Sequence, residues 1–162
     1  MADAWLEILK IASGIVGGAI AGHITARRTE RDAAIKELLT EIDRVVELSD
    51  DYWCRAPGDD GLVRSSTKLS VKLRTVARLN TQIVEAYPTY RFAGNSLIVA
   101  LRQAATGDHF QVLDRPADPT RHDLVMDAAE NLKDAVKSAR SNIWQVPIRT
   151  GFAHITKSFR QK

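Results

Sequence analysis

The chain has 162 residues, 44% hydrophobic and 27% charged, which excludes a disordered polar tail and a multi-span membrane protein. Its length suits one modest domain and excludes two large ones. The net charge of +3 is only mildly basic, so an argument for an anionic partner must rest on local clusters of charge. A single cysteine, Cys54, excludes an internal disulfide and a cysteine-rich zinc site. We expect Cys54 to be a small packed residue, and we expect no metal and no cofactor.

Residues 1–26 predict a transmembrane helix. Between Ile11 and Ala26 there is no Asp, Glu, Lys or Arg, and the 20 residues from Trp5 to Ile24 would extend over about 30 Å as a helix. Arginines follow at positions 27, 28 and 31, and the positive-inside rule then places the C-terminal side in the cytoplasm. A buried helix of a soluble protein and a cleaved signal peptide are the alternatives, although the acidic flank disfavours a signal peptide.

Small residues line one face of this predicted span. Gly14, Gly18 and Gly22 form a G-x-x-x-G-x-x-x-G series, and a helical wheel places Glu7 and Lys10 on the same side. Glycines at this spacing let helix backbones approach closely in lipid. We therefore expect this face to pack against further copies of the chain, or to line a water-filled pore.

The remainder predicts an all-α cytosolic bundle of about four helices over residues 27–143. The first helix continues from the span to about Tyr52, and a turn follows from Trp53 to Gly61. Further helices are expected at about 62–87, 95–106 and 120–143, with Thr120 as the N-cap of the last. Residues 110–113 are the one segment whose sequence favours an extended, strand-like conformation.

Apolar spacing predicts the buried side of the second and fourth helices. In the second helix these residues are Leu69, Leu73, Val76, Ile83, Val84 and Tyr87. In the fourth helix they are Leu124, Ala128, Leu132, Ala135, Val136 and Ala139.

The second helix carries the strongest charge anomaly. From Leu62 to Gln82 there are five basic residues and no acidic one. The basic residues are Arg64, Lys68, Lys72, Arg74 and Arg78. Like charges at i, i+4 spacing destabilise a helix by a few tenths of a kcal/mol per pair, so a bound anion would relieve this arrangement. We expect an anionic partner here, while intersubunit salt bridges and a plain solvated face are the alternatives.

Residues 144–162 predict a basic amphipathic tail. Ile148, Phe152, Ile155 and Phe159 share one side, and the segment contains no acid. Its cations include Arg149 and Lys157, which join the candidate ligands for the anion. Packing on the bundle or lying on the inner membrane surface would also satisfy this pattern.

Motifs of known enzyme classes are absent from the sequence: there is no Walker A, G-x-G-x-x-G, H-E-x-x-H or G-x-S-x-G pattern. We therefore do not expect an enzyme. The R-x(4 to 6)-H pattern of helical HEPN nucleases matches at three places, pairing Arg102 with His109, Arg115 with His122, and Arg149 with His154. A membrane-tethered ribonuclease using the last pair is the alternative.

Loop motifs make the chain similar to a family of short bacterial proteins with one N-terminal span and a helical cytosolic domain. The motifs are Asp51-Tyr52-Trp53 with Pro57-Gly58-Asp59-Asp60, Tyr90-Arg91-Phe92-Ala93-Gly94, Ala105-Thr106-Gly107-Asp108-His109-Phe110, and Asp114-Arg115-Pro116-Ala117-Asp118-Pro119-Thr120-Arg121. In build the chain resembles the small transmembrane effectors of antiphage systems. These include the Hailong effector, a channel controlled by a bound DNA oligomer, and more distantly the membrane-anchored HEPN-like accessory protein of Cas13b loci. The resemblance implies a bacterial inner-membrane protein of defence and carries over no functional residue.

These features together predict a homo-oligomeric inner-membrane pore whose cytosolic domain binds a nucleotide or a single-stranded oligonucleotide. Ligand binding would shift the population between two packings of the long first helix. A protein encoded by an adjacent gene is a further expected partner. A non-catalytic scaffold, anchored by the span, is the remaining alternative.

Overall fold

The computed structural model describes residues 2–87, 90, 92 and 94–142, with side chains for residues 22–23, 25–87, 90, 92 and 94–140. The described residues form four α-helices and no strand: α1 (Ala2–Trp53), α2 (Leu62–Ala86), α3 (Asn95–Thr106) and α4 (Arg121–Asn142). The predicted all-helical class is confirmed, and the predicted ends of α2, α3 and α4 agree to within one residue. The extended stretch predicted at residues 110–113 was wrong, because these residues form a turn.

The chain divides into two compact units, residues 1–34 and 35–162. Within the part of the chain whose side chains are described, no helix has the length and apolar character needed to cross a membrane. The span that the sequence predicts over residues 1–26 lies almost entirely outside that part.

In the second unit, α2 runs antiparallel to the C-terminal half of α1. The Ser65 hydroxyl donates to the Asp51 carboxylate at 2.8 Å, and the Lys72 ammonium pairs with Glu41 at 2.7 Å. Residue numbers rise along α2 as they fall along α1, which fixes the antiparallel direction. Between these polar contacts lie apolar side chains with almost no exposed surface, including Ile42, Val45 and Leu69.

Helix α4 packs against the same half of α1, again antiparallel. His122 lies 3.3 Å from Asp50 through its Nδ1 atom, and the Lys133 ammonium lies 2.9 Å from Asp43. The half of α1 from Ile35 onward therefore forms the centre of the described bundle.

Three side-chain expectations were wrong. Val84 on α2 is 38% exposed and Leu124 on α4 is 55% exposed, while Val125 and Ala129 are buried. Apolar spacing defines a helical stripe only to about one residue, and packing against α1 selects the residue that points inward. Cys54 is exposed, and its thiol donates to the Asp50 carboxylate at 3.4 Å, which raises the thiol pKa.

The C-terminal end of α1 is held by a buried arginine from the loop before α4. Arg115 is 1% exposed, and its guanidinium donates to the backbone carbonyl of Tyr52 and, at 3.0 Å, to that of Pro116. The same guanidinium lies 4.1 Å from the Tyr52 ring centre and 4.6 Å from that of Trp53. No described carboxylate forms an ion pair with it, so the π faces and carbonyl dipoles stabilise this buried charge.

Tyr52 and Trp53 connect this end of α1 to α3 and to the two loops around it. The Trp53 indole donates to the carbonyl of Ala105 at 2.8 Å, and the amide of Asp118 donates to the Trp53 carbonyl at 3.1 Å. The Tyr52 hydroxyl accepts a hydrogen bond from the amide of Gln111 at 2.9 Å. One helix end thus positions both the C-terminus of α3 and the loop that follows it.

Asp118 orders the loop that leads into α4. Its carboxylate accepts hydrogen bonds from the Thr120 hydroxyl at 2.6 Å and from Arg121 Nε at 3.2 Å. Thr120 precedes the first residue of α4, and its hydroxyl donates to Asp118; the expectation that it caps the helix stays a prediction. The hydrogen bond from Thr120 lowers the pKa of Asp118 below its ordinary value, and the contacts with Arg121 lower it further. Burial of the carboxylate acts in the opposite direction but is outweighed.

We expect Arg115→Met to lower the free energy of unfolding by about 2–4 kcal/mol, because it removes charge-assisted hydrogen bonds and two cation–π contacts. Arg115→Lys keeps the charge but loses the planar donor group, and should be nearly as destabilised. Urea denaturation of the full-length protein measures both. The matched control is Arg78→Met at an exposed position on α2, where we expect a change within about 0.5 kcal/mol. A fully stable Arg115→Met protein would contradict this account.

A second expectation concerns acid. Because the folded pKa of Asp118 lies below its unfolded value, its contribution is present above about pH 4 and is lost as the pH falls through the folded pKa. Asp118→Asn should therefore reduce the loss of stability between about pH 6 and about pH 3. Urea midpoints at both values test this, with exposed Asp127→Asn as the control. An unchanged acid dependence in Asp118→Asn would show that this carboxylate contributes nothing.

Candidate anion-binding cleft

A cleft of about 570 Å³ lies between α2 and α3 and is bounded at one end by the loop after α3. From α2 it is lined by Ser70, Leu73, Arg74 and Ala77, and from α3 by Ile98, Val99, Arg102 and Thr106. Gly107, Phe110 and Gln111 complete the lining from the loop. The helical residues recur at three- and four-residue spacing, so each helix presents one face to the cleft.

The cleft brings together two arginines that are distant in sequence, Arg74 and Arg102. Both are exposed, and no described carboxylate lies within ion-pair distance of either. The lining contains no acidic residue. Ser70 adds a hydroxyl, whereas the Thr106 hydroxyl donates to the carbonyl of Arg102 at 2.8 Å. Two guanidinium groups and one hydroxyl at an uncompensated site can bind an anion with several charge-assisted hydrogen bonds.

The fold divides the five basic residues of α2 between different faces. Arg74 lines the cleft, whereas Lys68 and Lys72 line a separate groove beside α1. That groove holds its own counter-charges, because Lys72 pairs with Glu41 and Glu47 pairs with Arg44. Arg74 therefore differs from Lys68 and Lys72, because the concave surface that it lines contains no acid.

Arg64 and Arg78 are exposed on α2 and line neither of these two concavities. Several predicted site residues lie outside the described side chains: Arg149, Lys157, Glu7, Lys10, Gly14 and Gly18. Gly22 is described and exposed, and a Cβ added there would meet nothing within 4 Å.

The loop wall of the cleft contains an unusual backbone conformation. A turn between His109 and Val112 is closed by a 3.2 Å hydrogen bond from the amide of Val112 to the carbonyl of His109. Its third residue, Gln111, has a φ of 70°, a value at which glycine or asparagine is favoured. A left-handed backbone costs a residue with a Cβ about 1–2 kcal/mol. The hydrogen bond from the backbone amide of Gln111 to the Tyr52 hydroxyl holds this residue in place.

Phe110, the residue before Gln111, packs its ring against Tyr52 with centroids 5.2 Å apart. It is half-buried and also lines the cleft. The apolar part of the cleft wall is therefore supported by the same tyrosine that holds Gln111, and through it by Arg115.

The basic run on α2 predicted Arg74 as an anion ligand. Arg102 was predicted only as half of a nuclease pattern. In that pattern, His109 is exposed and lies outside the cleft lining, while Arg102 is inside it. In the second pair, Arg115 is enclosed by aromatic rings and His122 lies beside Asp50, so Arg115 is not accessible to a phosphodiester. The third pair lies outside the described residues. No sequence signal shows that Arg74 and Arg102 meet.

The described residues contain no group of three or more His, Cys, Asp and Glu side chains that could hold a metal ion. No protein-family model, curated protein or solved structure matches this chain.

Proposed function

We propose that the protein is an oligomeric inner-membrane effector of antiphage defence, in which a phosphate-bearing ligand bound to the cytosolic helical domain gates a pore. The ligand would be a nucleotide or a short single-stranded oligonucleotide. The observation that carries the binding half of this proposal is the α2–α3 cleft with Arg74 and Arg102. The membrane half rests on the amino-acid sequence of residues 1–26.

The charge of the cleft favours a phosphate over a neutral ligand. Two cations share one concave surface without an acidic residue in its lining, so an anion would relieve their mutual repulsion. Each guanidinium can donate two parallel hydrogen bonds to phosphate oxygens. Such bonds typically contribute about 1.5–3 kcal/mol each when one partner is charged.

The size and the remaining lining of the cleft favour a small organic phosphate. A volume of about 570 Å³ falls within the range of pockets that enclose small molecules. Leu73, Ile98, Val99 and Phe110 give it an apolar wall, which inorganic phosphate would not use. A nucleotide has both an anionic part and an apolar aromatic part.

Oligonucleotide binding tests the first half. A fluorescent single-stranded oligonucleotide should bind the full-length protein with an affinity that falls as salt rises, because phosphate contacts release counterions. Arg74→Gln and Arg102→Gln should each weaken binding by roughly 10- to 100-fold. Lys36→Gln removes the same charge at an exposed position on α1 outside the cleft and should bind like the wild type. Equal affinity in all four proteins would refute the cleft as the binding site.

Ion flux from liposomes tests the second half. Gly14→Leu and Gly18→Leu should abolish ligand-dependent flux, because a large side chain prevents close helix approach in lipid. Ala12→Leu, about 120° from Gly18 on the helical wheel and outside the glycine face, is the matched control and should retain flux. Flux that survives both glycine substitutions would refute the glycine-faced pore. A wild-type protein that associates with membranes but conducts nothing would instead support the anchored scaffold.

A further inference from the structure

We infer that the cleft binds an adenine nucleotide, with the base against the apolar wall and the Gln111 carboxamide reading the edge of the base. This inference rests on the proposed function, because it assigns a ligand class to the same cleft. It adds a role for the one non-glycine residue among the described positions that has a positive φ.

The lining has a charged part and an apolar part, which match the phosphate and the base of a nucleotide. Arg74 and Arg102 provide cations for a phosphate, while Ile98, Val99 and Phe110 provide an apolar surface that includes one aromatic ring. A base bound against these side chains would be removed from water, and stacking on aromatic rings accepts any base. The apolar wall therefore explains affinity for a base, whereas selectivity requires a further polar group.

Gln111 is placed where it can supply that group. It lines the cleft and follows Phe110 directly. Its backbone amide donates to the Tyr52 hydroxyl at 2.9 Å, which leaves the side-chain carboxamide out of this bond. Its φ of 70° would suit glycine better, so the turn geometry alone does not account for glutamine. Residues held in an unfavourable backbone conformation by their surroundings are concentrated at functional sites.

The chemistry of the carboxamide points to adenine. Its oxygen accepts and its NH₂ group donates, which matches the N6 amino group and the N7 acceptor of adenine in a bidentate pair. Guanine presents two acceptors, O6 and N7, on the same edge, so the carboxamide oxygen would lose its partner there. A good bidentate pair corresponds to discrimination of about tenfold or more.

Calorimetric titration of the full-length protein with AMP, GMP and inorganic tripolyphosphate tests this inference. We expect AMP to bind about tenfold more tightly than GMP. Gln111→Gly should raise the Tm by roughly 2–4 °C, because it relieves the backbone strain, and should nevertheless abolish the preference for AMP. Tripolyphosphate should bind the wild type and Gln111→Gly equally.

Gln111→Asn is a second test variant, in which the carboxamide is kept. Asparagine tolerates the left-handed backbone and retains a carboxamide on a shorter side chain. It should share the increased Tm of Gln111→Gly while its preference for AMP falls only in part.

The outcomes separate the two proposals. If tripolyphosphate binding depends on Arg74 and Arg102 while AMP and GMP bind equally, the anion site stands and the adenine inference is refuted. A preference for AMP that persists in Gln111→Gly also refutes the role of this glutamine. If none of the three ligands binds the wild type, the proposed function fails together with the inference.

Discussion

Arg115 joins the end of α1 to the loop that precedes α4, and the candidate cleft depends on this contact. Its guanidinium is bound by the Tyr52 carbonyl and covered by the Tyr52 and Trp53 rings. Tyr52 then holds Gln111, and Trp53 holds the last turn of α3 through Ala105. A buried cation without a carboxylate partner is tolerated only where carbonyls and π faces surround it. The contact therefore requires all of these groups in place at once.

This dependence separates two kinds of residue in the loops. Tyr52, Trp53, Phe110 and Arg115 meet at the end of α1. Their shared role is to hold the helices in position. Gln111 lies between them and has no such packing role, because it is exposed and adopts a backbone conformation that favours glycine. Loop residues held in an unfavourable backbone conformation are concentrated at functional sites.

The charges of α2 show how tertiary contacts select among equivalent side chains. Lys72 and Arg74 are two residues apart and therefore lie on different faces of the helix. Lys72 pairs with Glu41 of α1, which neutralises its charge, whereas Arg74 lines the cleft beside α3 and has no described acidic partner. The basic run in the sequence contained both kinds of residue without distinguishing them.

The amino-acid sequence by itself determined the helical class, the ends of α2, α3 and α4, and the helix that carries the excess of cations. These follow from local rules: apolar spacing, turn residues such as Pro57-Gly58, and the absence of acids from Leu62 to Gln82. Only the tertiary structure decided that Leu124 is exposed, that Arg102 lines the same cleft as Arg74, and that Arg115 is buried. Each of these depends on which helix faces which, and that choice is made by contacts between residues distant in the chain.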